Sequence, residues 1–379
     1  MDTRRLGTLD VSVVGLGCNN FGMRIDADAT RAVVVAAIEA GITYFDTAEA
    51  YGGGQSEEFL GAALAGRRDQ VLIATKWGMR PPEAGQPPNG SPEAIRTAIE
   101  GSLGRLGTDR IDHYQLHRHD PDTPVEETLG ALAELVDDGK VREIGCSNFT
   151  AEQLDDATAA AAGRGVGPFA SVQNHYSLLT RTPETDGVLD ACARHGIGFV
   201  PYFPLESGVL TGKYRADEPP PEGTRLAAWG DRAGMFLDAD RLAAVARITQ
   251  WAEARGHTVL DAAMSWLAGD GRVVSIIAGA TRPEQVRANV AAAGWAISPE
   301  ERALAEDARD IARFLDGDGH GFEVLMNRYR QQAYTIALGL TGSHDDAMDA
   351  VQKAFIRIYR ALPRFQEGAA FFPWLYRIC

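Results

Sequence analysis

Eight short apolar runs, each followed by an alanine-rich stretch of helical spacing, fill the chain from its first glycines to Ala292. One run ends near Cys18; the others are Thr43–Asp46, Val71–Lys76, Ile111–Leu116, Val141–Ser147, Ala170–Asn174, Gly198–Tyr202 and Val274–Ile277. They show little polar–apolar alternation, as strands buried on both faces should. The helical stretches are Asp28–Ala40, Gln55–Leu64, Ser91–Leu106, Val125–Asp138, Thr150–Ala162, Glu184–His195, Asp240–Arg255 and Pro283–Ala292. Eight strand-then-helix units in about 300 residues point to a parallel (β/α)8 TIM barrel. The competing doubly wound sheet usually needs fewer units, and its dinucleotide fingerprint is missing. Gly15-Leu16-Gly17 is followed by Asn20 where the third glycine belongs.

Composition changes near Ala308. The chain carries 37 basic and 52 acidic side chains, a formal charge of −15. From Arg309 to Cys379 there are 9 basic and 8 acidic residues, a net +1, so residues 1–308 carry −16. That last stretch also holds 11 of the 30 aromatic residues. Two shifts at one place mark a domain boundary, with a barrel at 1–308 and a small all-α helical domain at 309–379. In the latter, apolar residues recur at Phe322, Leu325, Tyr329, Ile336 and Leu340, and again at Ala347, Val351, Phe355, Ile358 and Leu362. That is the spacing of two amphipathic helices. Gly342 separates them, and Ser343 with Asp346 reads as a capping box opening the second. Residues 215–236 interrupt the barrel repeat around Pro219-Pro220-Pro221; a structureless insertion of that length is a lid or a tolerated surface loop.

An acidic chain lacks the clustered Lys and Arg that phosphate backbones require. Cys18, Cys146, Cys192 and Cys379 form no C-x-x-C pair and no cluster with His. Neither a disulfide framework nor a metal site is expected, and a reducing compartment is. The first residues resemble no signal peptide, and no apolar run approaches the ~20 residues that span a bilayer. The reading is cytoplasmic.

Barrel enzymes carry their chemistry at the carboxyl ends of strands. Asp46 ends the second run, Tyr51 lies in the loop after it, Lys76 ends the third run, and His117 follows the fourth. Singly, a strand-end Asp is commonly a turn residue and a lone His a structural one. Lys76 is harder to dismiss, because an ammonium ending a buried run needs a carboxylate, and Asp46 on the neighbouring strand supplies it. Together the four can protonate a carbonyl oxygen. A tyrosine hydroxyl, with a pKa of about 10, is a poor acid near neutrality. An adjacent ammonium lowers that pKa, a buried Asp holds the ammonium, and a His orients the carbonyl. Trp77, beside Lys76, either lines a substrate pocket with Phe21 or packs. Gly52-Gly53-Gly54 lacks the Lys-Ser/Thr ending of a phosphate loop and reads as a plain loop.

These residues lie in stretches that resemble the aldo-keto reductases. They are Gly41-Ile42-Thr43-Tyr44-Phe45-Asp46-Thr47-Ala48-Glu49-Ala50-Tyr51-Gly52, Ala74-Thr75-Lys76, Asp112-His113-Tyr114-Gln115-Leu116-His117, Gly139 to Phe149, and Tyr202-Phe203-Pro204-Leu205. The resemblance runs over residues 3–308, in order and at family spacing. It implies Tyr51 as proton donor, with Asp46, Lys76 and His117 completing a tetrad. It implies Ser147, Asn148 and Gln173 on a nicotinamide carboxamide, Tyr202 stacked on the ring, and Arg5 to Gly15 as a hairpin closing the barrel bottom. Leu205 and Leu210-Thr211-Gly212-Lys213 resemble the segment at the pyrophosphate. Ile277 to Asn289 resembles the adenosine segment, which brings in Gly279, Thr281, Arg282, Gln285 and Asn289. Many members carry Lys-Ser and a later Arg there, where this chain has Gly279-Ala280 and Gln285; Arg282 and Lys213 remain for phosphate contacts. The implied function is reduction of small-molecule aldehydes and ketones by NADPH, with NADH as the alternative. Some members are instead channel-associated subunits.

Residues 309–379 are similar to region 2 of extracytoplasmic-function sigma factors. The likeness rests on Phe322-Glu323-Val324-Leu325, Arg328-Tyr329, Leu340-Thr341-Gly342-Ser343, Asp345 to Asp349, Gln352-Lys353-Ala354-Phe355 and Phe372 to Ile378. It implies that Asp346, Asp349 and Gln352 meet the clamp coiled coil of core RNA polymerase. The plainer reading is that aromatic helices form a core and Asp346 caps one of them. The chain stops where the family continues into its promoter-melting helix, and a net +1 offers no broad basic face, so promoter DNA is not an expected partner. The alternative function is a transcription-linked module whose tail binds polymerase and whose barrel senses NADP(H).

Overall fold

An antiparallel hairpin opens the chain, with β1 (Thr3–Leu6) and β2 (Leu9–Ser12) joined at Gly7, whose φ is +56°. The computed structural model describes residues 1–79, 85–215, 218–315, 317–365 and 371–378, with backbone alone at 231, 232, 235 and 299. These divide into two compact units. The first is Met1–Pro204 with Leu267–Gly294, the second Leu205–Trp266 with Trp295–Cys379.

The first unit holds eight parallel strands: β3 (Val14–Gly17), β4 (Tyr44–Asp46), β5 (Leu72–Trp77), β6 (Ile111–Leu116), β7 (Val141–Ser147), β8 (Ser171–His175), β9 (Gly198–Tyr202) and β10 (Ile276–Gly279). Their order is β10-β3-β4-β5-β6-β7-β8-β9. Phe199 N donates to Arg272 O and Val274 N to Phe199 O, so β9 meets the approach to β10 and the barrel nearly closes. Between strands run α1 (Ala27–Glu39), α2 (Gln55–Ala63), α3 (Pro92–Leu106), α4 (Val125–Asp137), α5 (Ala151–Arg164), α6 (Thr182–Thr185) and α7 (Val188–His195). After β9 come α8 (Arg225–Trp229), α9 (Ala239–Glu253) and α10 (Val259–Ala268), and after β10 comes α11 (Pro283–Ala292). The boundaries follow local chemistry. Ser91 caps α3, Thr150 and Gln153 form a capping box on α5, and left-handed Gly107 and Gly165 end them.

The hairpin plugs the amino end of the barrel. Leu6, Leu9 and Val11 are buried in one cluster with Tyr44, Ala74, Val200, Val274 and Ile277. Thr8 gives both its amide and hydroxyl hydrogens to Glu143 Oε1 at 2.6 Å, and Arg4 donates to the carbonyls of Asp270, Val273 and Ala268.

In the second unit α12 (Pro299–Leu315) packs against α9 on one side and α13 (Gly319–Thr341) on the other. It runs unbroken through Ala308, where the composition changes. α14 (His344–Ala361) and α15 (Phe371–Ile378) complete the bundle, and α13 and α14 carry the two apolar series seen in the sequence. Leu325, Tyr329, Ala333, Val351, Phe355, Ile358, Phe371 and Leu375 share one core with Ile311 of α12. Asp307 and Asp310 of α12 are buried, and Arg328 of α13 meets them at 2.5 and 2.8 Å. Tyr329 Oη donates to Asp307 at 2.5 Å.

Several expectations need correction. The hairpin spans Thr3–Ser12, not Arg5–Gly15. Glu184–His195 is two helices, because the chain turns at Gly187 with φ +84°. The 215–236 insertion is not structureless: Thr224 caps α8, and a 3-10 turn, Gly230–Met235, follows. Ala216 and Asp217 within it lie outside the described residues, as does Cys379. The Ser343 box is half formed. Ser343 Oγ accepts from Asp346 N at 3.4 Å, but Ser343 N goes to Thr341 Oγ1. α10 and α12 were unforeseen. α10 is buried nearly all round, so it shows no amphipathic stripe. No helix among the described residues is long and apolar enough to cross a membrane.

Candidate active site

Asp46 pairs with Ala74 across β4–β5, and Lys76 with Gln115 across β5–β6. Cross-strand partners in a parallel ladder share a face, and so do residues i and i+2. Asp46, Lys76 and Gln115 therefore project together at the carboxyl end of the barrel. Lys76 is 0 % exposed; its Nζ donates to Asp46 Oδ2 at 2.6 Å and to Thr47 O at 2.9 Å. Asp46 Oδ1 accepts from Gln115 Nε2 at 3.2 Å and Gln173 Nε2 at 3.0 Å. The Lys76 ammonium also lies 5.2 Å from the Tyr51 ring centre, near enough for its charge to favour the tyrosinate. Tyr51 starts a 3-10 turn in which Gly52, Gly53 and Gly54 have φ of +61°, +66° and +97°. Side chains strain in that region, so the triple glycine is what lets the chain swing from Tyr51 into α2. His117 follows β6, edge-on to Tyr51 at 5.9 Å and 80°. Its buried Nδ1 has no hydrogen-bond partner among the described residues.

Burial sets the charge states. It works against the Lys76 ammonium, but Asp46 and Tyr51 outweigh it and hold the group above its ordinary range. Burial pushes the Tyr51 hydroxyl up; Lys76 pulls it down, as the sequence suggested, without overcoming burial. Burial, helped by Lys76 and Arg118, pushes His117 down to about 3, so its ring is neutral near pH 7.

Beside this cluster a second set of side chains interlocks. Ser147 Oγ donates to Gln173 O at 2.7 Å and accepts from Asn148 Nδ2 at 3.1 Å. Asn148 Nδ2 also reaches His117 O at 3.0 Å, while Asn148 Oδ1 accepts from Tyr202 Oη at 2.9 Å. Asn148 is held at φ +60°. Tyr202 is half-buried and stacks on His175 at 5.4 Å.

Residues 13–310 match the model of the Aldo/keto reductase family. The chain belongs to that family. It is an oxidoreductase of carbonyl substrates. This reductase is 34% identical over 286 residues to "L-glyceraldehyde 3-phosphate reductase" of Escherichia coli O157:H7, covering 72% of this chain and 81% of that one. It is 34% identical over 340 residues to "Aldo-keto reductase yakc [NADP(+)]" of Schizosaccharomyces pombe, covering 86% and 97%. A "probable voltage-gated potassium channel subunit beta" of Arabidopsis thaliana is 33% identical over 305 residues, covering 77% and 91%. Among solved structures, the glycerol dehydrogenase AKR11B4 from Gluconobacter oxydans superposes with a TM-score of 0.69 at 32% identity, covering 81% of this chain and 94% of that one. Residues 325–379 of the reductase match Sigma-70 region 2.

The remaining expected site residues of the reductase fall as follows. Trp77 is 1 % exposed, stacks on Tyr114 at 4.4 Å and donates to Asn89 O; Phe21 is 0 % exposed. Both side chains are packed inside the barrel unit. Gly279 ends β10. Gln285 Oε1 accepts from Thr281 N and Oγ1 at 2.8 and 3.1 Å, so Gln285 ties the loop entering α11. Arg282 is exposed at the head of α11, and Asn289 is buried on it. In the second unit Leu205 precedes a 3-10 turn, Glu206–Thr211, where Leu210 is buried and Thr211 Oγ1 donates to Gly208 O. Lys213 is exposed, 5.2 Å from the Tyr214 ring centre. Asp346, Asp349 and Gln352 are exposed on one side of α14, and Asp349 pairs with Lys353 at 2.8 Å. Gln115 was missed by sequence reasoning; its signal is an amide at the inward position two residues before His117 in an otherwise buried strand.

Proposed function

We propose that this reductase converts aldehydes and ketones to alcohols with NADPH, and that Tyr51 is its proton donor. The observation that carries the reading is the buried Lys76–Asp46 pair set beside the Tyr51 ring. The dihydronicotinamide supplies the hydride when bound. Ser147, Asn148 and Gln173 suit its carboxamide, since hydroxyl and amide groups both donate and accept, and the half-buried Tyr202 ring beside them suits a flat partner. Arg282, exposed at the head of α11, brings positive charge for the phosphates. The NADP(+) in the name of the Schizosaccharomyces pombe relative favours NADPH over NADH.

The chain's own residues do the rest. Burial keeps Tyr51 protonated until negative charge develops on the carbonyl oxygen. As the proton leaves, Lys76 stabilises the tyrosinate, and Asp46 keeps Lys76 charged. His117, neutral and with an unpartnered Nδ1, is suited to hold the carbonyl oxygen toward Tyr51. NADPH and NADH oxidation should be followed with a panel of aldehydes and ketones. Tyr51→Phe should lower kcat by roughly 10²–10⁴-fold; turnover retained in that variant, or none from the parent chain across the panel, refutes the reading.

We take residues 1–308 as the reductase and 309–379 as a sigma-like domain acting beside it in the cytoplasm. The exposed row Asp346, Asp349 and Gln352 favours a second activity, docking of that domain on core RNA polymerase.

A further inference from the structure

We propose that Gln115, together with Gln173, is a positioning residue that fixes the Asp46 carboxylate so that its second oxygen stays on Lys76. The proposal rests on the proton-donor reading of Tyr51 and deepens it. A carboxylate only accepts hydrogen bonds, so each amide facing Asp46 must present its N–H. Gln115 Nε2 and Gln173 Nε2 reach Asp46 Oδ1 at 3.2 and 3.0 Å, while Oδ2 faces the Lys76 ammonium at 2.6 Å. Gln173 Nε2 also donates to Gln115 Oε1 at 3.3 Å, which closes a triangle of Asp46, Gln115 and Gln173. Both Nε2 hydrogens of Gln173 are thereby committed, which leaves Oε1 as the atom a bound amide would meet.

The triangle stands on a second polar layer. Two residues earlier on the same three strands lie Tyr44, His113 and Ser171. Tyr44 Oη is 2.8 Å from His113 Nδ1, and Ser171 Oγ is 3.0 Å from His113 Nε2. A Cβ at Gly145 would fall on His113 Nε2, so glycine is required on β7 for the imidazole to span the barrel. Alternate strands filling successive layers is the barrel's ordinary packing rule, here carried out with hydrogen-bonding groups. The upper triangle cannot sink, and Asp46 cannot rotate without losing two amide bonds. Released, the carboxylate would turn both oxygens to the ammonium and draw Lys76 away from Tyr51. The titratable groups around Asp46 are Tyr44, Lys76, Tyr51 and Cys18.

The test compares Gln115→Met, which has no donor, with Gln115→Glu. At about pH 8 both should lose kcat by about ten- to a hundredfold with KM unchanged. At about pH 6 the Glu variant should recover, because of two carboxyls sharing a site one takes up a proton and can donate to the other. The Met variant has no such proton and should stay low. Parental kcat in both variants overturns the proposal, and so does equal loss at every pH, the mark of a merely structural role. Should Gln115→Met not fold, the pH response of Gln115→Glu alone decides. Tyr51→Phe run alongside separates the two levels. If it keeps turnover, the proton-donor reading fails; if it is inactive while both Gln115 variants match the parent, only the positioning role fails.

Discussion

Two histidines show how far burial moves a single residue. His113 and His117 are both pushed down to about 3, by burial first and by Lys76 second. Unfolded, each takes a proton near its ordinary 6.5. Between those values the unfolded chain binds more protons than the folded one, so stability is fully present above pH 6.5 and drains as pH falls toward 3. Thermal midpoints measured downward from neutrality should fall over that window, and His117→Gln should flatten the slope. A slope unchanged by the substitution would mean that the native ring is not held neutral. Tyr51 teaches the same lesson: the sequence showed the ammonium that lowers its pKa, but not the burial that raises it further. Burial likewise pushes the Cys146 thiol well up, away from the reactive thiolate.

Among the elements, α12 depends most on its neighbours. Asp307 and Asp310 are buried on it, and Arg328 of α13 is the cation that meets both. Even so, burial raises the Asp307 carboxyl to about 6. Removing one partner of a buried ion pair strands the other's charge, which costs about 3–5 kcal/mol. Arg328→Met should therefore destabilise the helical bundle by that order in urea titrations read through amide exchange in α13 and α14. Arg328→Lys should fall between, since an ammonium cannot reproduce the fork that meets two carboxylates. Exchange identical to the parent in both variants would show that the cluster contributes nothing. Nothing in the linear pattern linked Asp307 to Arg328, because a carboxylate on a helix is ordinarily a solvated one.

At the scale of the whole molecule, two family matches sit in one chain; the first ends inside α12 and the second begins inside α13. A cut at 308 divides α12, and one after Asp318 spares it. Residues 1–318 should keep turnover but melt below the full chain, because Arg328 and the apolar partners of Ile311 are gone, and residues 1–308 should melt lower still; equal midpoints for the two would show that the second half of α12 adds nothing. The full chain, unlike residues 1–318, should capture core RNA polymerase if the exposed row on α14 is a docking face, and no capture would overturn that second activity. The eight-unit barrel and the four side chains Asp46, Tyr51, Lys76 and His117 were legible from sequence because strand period, helix spacing and strand-end position are local properties. The pairing of Asp46 with Gln115 and Gln173, the packing of Trp77, the net rise at Tyr51 and the double allegiance of α12 were settled only by the tertiary structure. Each depends on which groups distant strands and helices bring within hydrogen-bond range: Asp46 is held by residues 30, 69 and 127 positions away. Desolvation is in turn a sum over everything that surrounds a group, and a linear pattern carries neither.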